Sequence, residues 1–278
     1  MDPLARNNVT VGGAEGAPPM VFAHGFGCDQ VMWRFVAPAF EASHRTVLLD
    51  HVGAGGSDLS AYDPARHGRL DGYAEDLVEV LDALALGPAV LVGHSVSSMI
   101  GVLAAAARPD LFSSLVLVCP SPRYTDDEGY RGGFTAEQIA DLLDTMDANY
   151  LGWSAQIAPV IMGVPHRPEL GQELASSFCR TDPALARRFA RTTFLSDNRA
   201  DLARVRTPSL VLQCREDAIA PPEVGHYVRD HLAGAELVVL DATGHCPNLS
   251  ASAELVAAMK GYLGAGAAPA PAPAGASR

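Results

Sequence analysis

Leu91-Val92-Gly93-His94-Ser95-Val96-Ser97-Ser98 carries the sharpest local signal in the chain: an apolar run that turns into a helix with a serine at the bend. Ala89 to His94 reads as a central parallel strand buried on both faces, because such strands are nearly continuous in Val and Leu. Val96 to Ala107 is rich in Ala and stops at Arg108-Pro109, where proline discourages a further helical turn. This is the setting of a nucleophile elbow, which lifts a hydroxyl above the sheet and points the positive end of the following helix at developing charge. The usual pattern is G-x-S-x-G, but here the last position is Ser97, so the elbow must pack by a slightly different fit. Alone, Gly93-His94-Ser95 is equally a tight strand-to-helix turn, and the weight falls on its partners.

Outward from the elbow, short β-rich runs alternate with helical patterns, which predicts a mainly parallel sheet with helices on both faces. The runs are Met20 to His24, Thr46 to Asp50, Ala89 to His94, Ser114 to Val118, Ser209 to Cys214 and Glu236 to Leu240. Tyr73 to Leu84 places Leu77, Leu81 and Leu84 on one helical face, and that helix is expected to pack on the sheet. From Pro120 to about Asn198 the rhythm breaks into helical patterns at Glu137 to Tyr150, Glu169 to Phe178 and Pro183 to Phe194. The expected organisation is a core in two parts, residues 1–119 and 199–263, around a helical cap at 120–198. Gly264 to Arg278, an Ala/Pro-rich stretch with little to bury, is expected to form a disordered tail.

A serine hydroxyl needs an imidazole to take its proton and a carboxylate to hold that imidazole in the right tautomer. On an elbow-bearing sheet the chain order is Ser, acid, His, each just after a strand. Asp217 follows the run ending at Cys214, and His245 follows the run ending at Leu240. Glu216 and Asp241 compete for the acid position, but alternation and loop position favour Asp217. His94 sits beside Ser95 on the rigid elbow and is expected to point away, in a packing or hydrogen-bonding role. His226 and His231 read as surface residues of a helix. His24-Gly25-Phe26-Gly27 follows the first buried strand, so the Phe26 and Val96 N–H groups are the candidate oxyanion donors. His24 itself reads as a loop anchor. Gly53-Ala54-Gly55-Gly56-Ser57-Asp58 lacks the full dinucleotide-binding pattern and reads as a turn bordering the site.

The 278 residues carry a net charge of −12, so a nucleic-acid backbone would be repelled at long range. No apolar run reaches the length of about 18 residues that crosses a bilayer, and Met1 to Val11 lacks the apolar stretch of a secretory signal. The expectations are a cytoplasmic location and neither nucleic-acid nor membrane partners. Cys28, Cys119, Cys179, Cys214 and Cys246 show neither C-x-x-C nor zinc-ligand spacing and read as free, mostly buried thiols. Neither metal nor cofactor is expected.

From about Asn8 to Leu263 the chain resembles the α/β-hydrolase subgroup containing the bacterial stress-response regulator RsbQ and the plant strigolactone and karrikin receptors. The resemblance rests on His24-Gly25-Phe26-Gly27-Cys28-Asp29-Gln30, Leu70-Asp71-Gly72-Tyr73-Ala74, Gly93-His94-Ser95-Val96-Ser97 and Gly132-Gly133-Phe134. Ser121-Pro122-Arg123-Tyr124, Phe194-Leu195-Ser196-Asp197 and Gly244-His245-Cys246-Pro247 add to it. Ser97 matches the plant receptors. The resemblance implies the α/β-hydrolase fold, Ser95, Asp217 and His245 as catalytic triad, and Phe26 with Val96 as oxyanion hole. It also implies a four-helix cap over a largely hydrophobic pocket lined by Phe26, Tyr124, Phe134, Trp153, Phe194 and Ile219. Ordinary core packing is the alternative for each aromatic, most strongly for Trp153 and Phe194.

Three functions fit. One is a hydrolase of a small, fairly apolar ester or lactone. The second is a slow-turnover ligand sensor whose partner, in the RsbQ-like case, is a PAS-domain phosphatase. The third is an inert binding scaffold on the same fold. Serine at the elbow argues against dehalogenases and epoxide hydrolases, which place aspartate there; lyases, C–C hydrolases and perhydrolases stay open.

Overall fold

The computed structural model describes residues 1–264. Seven strands form one sheet: β1 (Thr10–Gly13), β2 (Pro19–Ala23), β3 (Arg45–Leu49), β4 (Ala89–His94), β5 (Phe112–Val118), β6 (Ser209–Glu216) and β7 (Glu236–Thr243). Their order is β1-β3-β2-β4-β5-β6-β7; β1 pairs antiparallel with β3, and all other neighbours are parallel. Side chains alternate across a pleated strand. Val90 and Val92 of β4 and Val116 and Val118 of β5 enter one apolar layer. Ala89, Leu91, Leu115 and Leu117 enter the other. Two buried layers, one on each face, explain why these strands read as unbroken apolar runs.

Parallel neighbours need crossover connections. Helices α1 (Leu70–Leu84) and α2 (Val96–Ala107) join β3, β4 and β5 and pack against each other. Between β5 and β6 come α3 (Ala136–Ala148), α4 (Tyr150–Met162), α5 (Pro168–Arg180) and α6 (Pro183–Phe194). Their boundaries follow local chemistry. Thr135 and Gln138 close a capping box on α3; Gly163, at φ 65°, ends α4; proline opens α5 and α6 at the first turn, where a missing N–H costs nothing. Buried aromatics of this insertion join the apolar layer that includes β2. Helix α7 (Pro222–His231) lies between β6 and β7, and α8 (Ser252–Gly264) follows β7.

Two elements differ from the sequence reading. β1 was not expected: its four residues include two glycines and none is buried, so neither alternation nor apolarity marks it. Helix α4 has no counterpart among the helical patterns read from Pro120 to about Asn198, the first of which ends at Tyr150: Asn149 caps α4 directly behind α3, and Pro159 interrupts its pattern. The expected tail lies, apart from Gly264, outside the described residues. No helix among the described residues is long and apolar enough to cross a membrane.

Candidate active site

β4 ends at His94, and Ser95 takes φ 56°, ψ −121° before α2 begins at Val96. A non-glycine residue held there is strained and persists only where its surroundings impose it. Gly93 makes the bend geometrically feasible, because a Cβ at that position would stand 2.5 Å from the Ser97 carbonyl oxygen. The turn leaves Ser95 buried at 5 % exposure with its hydroxyl 2.7 Å from His245 Nε2.

His245 and Asp217 come from the ends of β7 and β6. His245 Nδ1 is 2.7 Å from Asp217 Oδ2, while Asp217 Oδ1 accepts the backbone N–H groups of Ile219 at 2.8 Å and Ala220 at 3.1 Å. Burial alone would push the Asp217 carboxyl up. The adjacent His245 and the two backbone donors outweigh it and hold the group below the usual carboxylate range. Glu216 and Asp241, the rival acids, are exposed, and Asp241 pairs instead with Arg215.

The backbone of His245 is fixed twice. Its N–H donates to the Ile161 carbonyl at 2.7 Å, and its carbonyl accepts His94 Nε2–H at 2.7 Å. His94 is therefore in the Nε2–H tautomer. Burial, with His245 close by, lowers its pKa to about 3, so it stays neutral. Helix α4 thus clamps the histidine loop directly.

A second network lies behind the elbow. Ser97, wholly buried, donates to the His24 carbonyl and accepts Nε2–H of His51 at 2.6 Å. His24 Nδ1–H donates to the Gly25 carbonyl at 2.8 Å, and its Nε2 accepts the His51 backbone N–H at 3.1 Å. Burial, then His24 nearby, lowers the His51 pKa well below the histidine range. The position usually held by glycine thus carries a hydroxyl that ties the elbow to the loop bearing Phe26. Among the described residues, neither the Phe26 nor the Val96 N–H has a protein acceptor.

A model of the alpha/beta hydrolase family matches residues 20–258. The chain belongs to the alpha/beta hydrolase family. This hydrolase is 40% identical to a strigolactone esterase of Arabidopsis thaliana over 253 residues, 91% of this chain and 94% of that one. To a karrikin insensitive 2 receptor of Petunia hybrida it is 37% identical over 245 residues, 88% and 90% of the two chains. The structure of a hydrolase from Oleispira antarctica superposes with a TM-score of 0.92 at 39% identity, covering 95% of this chain and 96% of the other. The chain is accordingly an alpha/beta hydrolase with esterase-type relatives.

The cavity at Ser95 in this hydrolase is small, about 30 Å³, and mostly apolar. Phe26, Tyr124, Phe194 and Ile219, four of the six side chains that the resemblance implies as lining, are in its wall; so are Cys28, Ile161, Leu174, Phe178, Thr193 and Cys246, which the resemblance does not name as lining. Trp153 and Phe134 are not in this wall. Trp153 stacks on Phe178 with ring centroids 5.6 Å apart and stands behind it, while Phe134 is half-buried and hydrogen-bonds through its N–H to the Tyr124 carbonyl. Ile161 lies on α4 and Leu174 and Phe178 on α5, with nothing in the local pattern to mark them, whereas Cys28 and Cys246 fall inside two of the quoted motifs. His94, expected to point away, lines the cavity and serves as the clamp described above. His226 and His231 are exposed on α7.

All five cysteines are free, and only Cys179 is exposed. Burial, followed by the neighbouring Asp29, pushes the Cys28 thiol up to about 12, so it is a hydrophobic wall element and not a nucleophile. Cys119, Asp217 and His245 have ligand-type atoms within 4.8 Å of one another. The facing atoms of Asp217 and His245 are already bonded to each other, which leaves that trio ill suited to hold a metal ion.

Proposed function

We propose that this protein hydrolyses a small, largely apolar ester or lactone through an acyl-enzyme intermediate. In this reading Ser95 is the nucleophile, His245 the general base and then acid, and Asp217 the group that orients His245. The observation that carries it is the unbroken relay Ser95 Oγ, His245 Nε2, His245 Nδ1, Asp217 Oδ2, with both hydrogen bonds at 2.7 Å, opening on an apolar cavity.

The chemistry follows from the geometry. Ser95 Oγ attacks the carbonyl carbon as its proton passes to His245 Nε2, and the ionised Asp217 stabilises the imidazolium. The carbonyl oxygen, now negative, would be held by the Phe26 and Val96 N–H groups, with the positive end of α2 behind them. Collapse expels the alcohol, which takes the proton from His245. A water, deprotonated by the same imidazole, then attacks the acyl carbon, and Ser95 leaves with the proton. For a lactone the alcohol and acid remain one molecule.

The second serine–histidine pair, Ser97 and His51, does not compete. Both side chains are buried, neither lines the cavity, and the Ser97 proton is committed to the His24 carbonyl. A cavity of about 30 Å³ holds little more than a water or two, so substrate entry requires the α4–α6 roof or its aromatics to move. The names of the similar strigolactone esterases support ester chemistry. The test is hydrolysis of 4-nitrophenyl acetate by wild type and by Ser95→Ala. The reading expects a loss of at least about 10³-fold in kcat, and full activity in the variant would sink it.

A further inference from the structure

Among the described residues, nine buried side chains have a nitrogen or oxygen without a hydrogen-bond partner. Only two of them, His94 and Thr193, line the catalytic cavity. The His94 atom is Nδ1, and it is packed against the oxyanion loop: a Cβ on Gly25 would stand 2.5 Å from it, leaving no room for a ligand. The Thr193 atom is different. Thr193 lies on α6 at 1 % exposure, next to Phe194, whose ring meets Tyr124 at 5.0 Å and Phe26 at 5.9 Å over the catalytic serine.

A helical threonine ordinarily satisfies its hydroxyl on a carbonyl one turn back. The neighbouring Thr192 does so, donating to the Arg188 carbonyl at 3.1 Å, but Thr193 does not. A buried hydroxyl without a partner is costly and rare. The wall that Thr193 joins is mostly apolar, built from Phe26, Ile161, Leu174, Phe178, Phe194 and Ile219, and among the described residues between β5 and β6 Tyr124 is the other hydroxyl-bearing side chain that lines it.

We infer that the Thr193 hydroxyl is a recognition group for a second oxygen of the substrate. The preferred ligands are then small esters or lactones carrying an ether, carbonyl or ring oxygen beyond the scissile bond, in place of plain alkanoates. This inference rests on the ester-hydrolase reading above and narrows it to a substrate class. Hydrogen-bonding sites discriminate strongly against an analogue that lacks the partner atom, whereas apolar walls barely reject an added oxygen.

The test uses matched 4-nitrophenyl esters in which one chain CH₂ is exchanged for an ether oxygen: butyrate with methoxyacetate, pentanoate with 3-methoxypropanoate, and the next homologous pair. For each pair the oxygen-to-carbon ratio of kcat/KM is compared between wild type and Thr193→Val, a comparison that cancels the intrinsic reactivity of each ester. The expected result is a fall of about tenfold or more in that ratio for at least one pair, with Thr193→Ser retaining the wild-type ratio. Thr193→Ala provides the same comparison without a branched replacement, and labelling of Ser95 by a fluorophosphonate checks that each variant keeps an intact site. Turnover in which every ratio stays within about twofold of wild type overturns the inference and leaves the ester-hydrolase reading standing. No Ser95-dependent turnover of any ester overturns both.

Discussion

Removing the Ser97 hydroxyl tests how the elbow and the loop bearing Phe26 are held together. Ser97→Ala deletes one donor to the His24 carbonyl and one acceptor for His51 Nε2–H, in a place with no solvent exposure. Two hydrogen bonds at about 1 kcal/mol each, plus up to about 2 kcal/mol for the buried N–H left without a partner, give a loss of about 2–4 kcal/mol of stability. With a urea m-value of about 2–3 kcal/mol/M, the unfolding midpoint should fall by about 1 M. The catalytic effect has a separate scale. Deleting an oxyanion donor outright costs about 10²–10³-fold in kcat. In the proposed mechanism the Phe26 N–H is such a donor; Ser97→Ala leaves it in place but its loop loses an anchor two residues away, so kcat should fall about 10-fold with KM little changed. Urea titration and steady-state hydrolysis of 4-nitrophenyl acetate read both effects. A double-mutant cycle with His51→Ala should show coupling of about 1–3 kcal/mol. Ser97→Ala with an unmoved midpoint and unchanged kcat would refute the argument.

Three further outcomes follow from the same geometry. Asp217→Asn keeps the shape but removes the charge and favours the wrong imidazole tautomer, so kcat should fall about 10³–10⁴-fold while a competitive ground-state inhibitor binds as before; a loss below tenfold would contradict the assignment. Buried His94, with its pKa lowered to about 3, and His51, lowered well below 6.5, take up protons only after the unfolded chain has done so. Stability should therefore fall as pH drops below about 6.5, by about 1.4 kcal/mol per unit for each histidine, and urea midpoints at pH 7.5, 6 and 5 check the slope. Gly93→Ala drives a Cβ to 2.5 Å from the Ser97 carbonyl oxygen; it should abolish fluorophosphonate labelling of Ser95 or leave the protein insoluble, and a fully labelled, stable variant would show that the elbow has slack.

The parts of the molecule that could be read from sequence are those where one local rule dominates. Ala89–His94 and Val96–Ala107 match the expected strand and helix to the residue, since the strand is buried on both faces and the helix ends against a proline. Pro183–Phe194 likewise begins at a proline and follows a helical apolar pattern. β1 escaped because an exposed edge strand with two glycines needs neither apolarity nor alternation. The unfamiliar serine at position 97 marked something unusual, but its partners, His51 and the His24 carbonyl, are 46 and 73 residues away, and only the folded sheet brings them together. The inner wall of the cavity was legible where motif residues form it, at Phe26 and Tyr124. It was not legible on α4 and α5, where Ile161, Leu174 and Phe178 differ in no local way from residues that merely pack helices.

Intact-protein and peptide mass spectrometry after brief exposure to a fluorophosphonate interrogates the relay at its reacting atom. A single phosphonyl group is expected on the peptide carrying Ser95, lost in Ser95→Ala and slowed strongly in His245→Ala. A label on any other serine, Ser97 included, or undiminished labelling without His245, would contradict the relay.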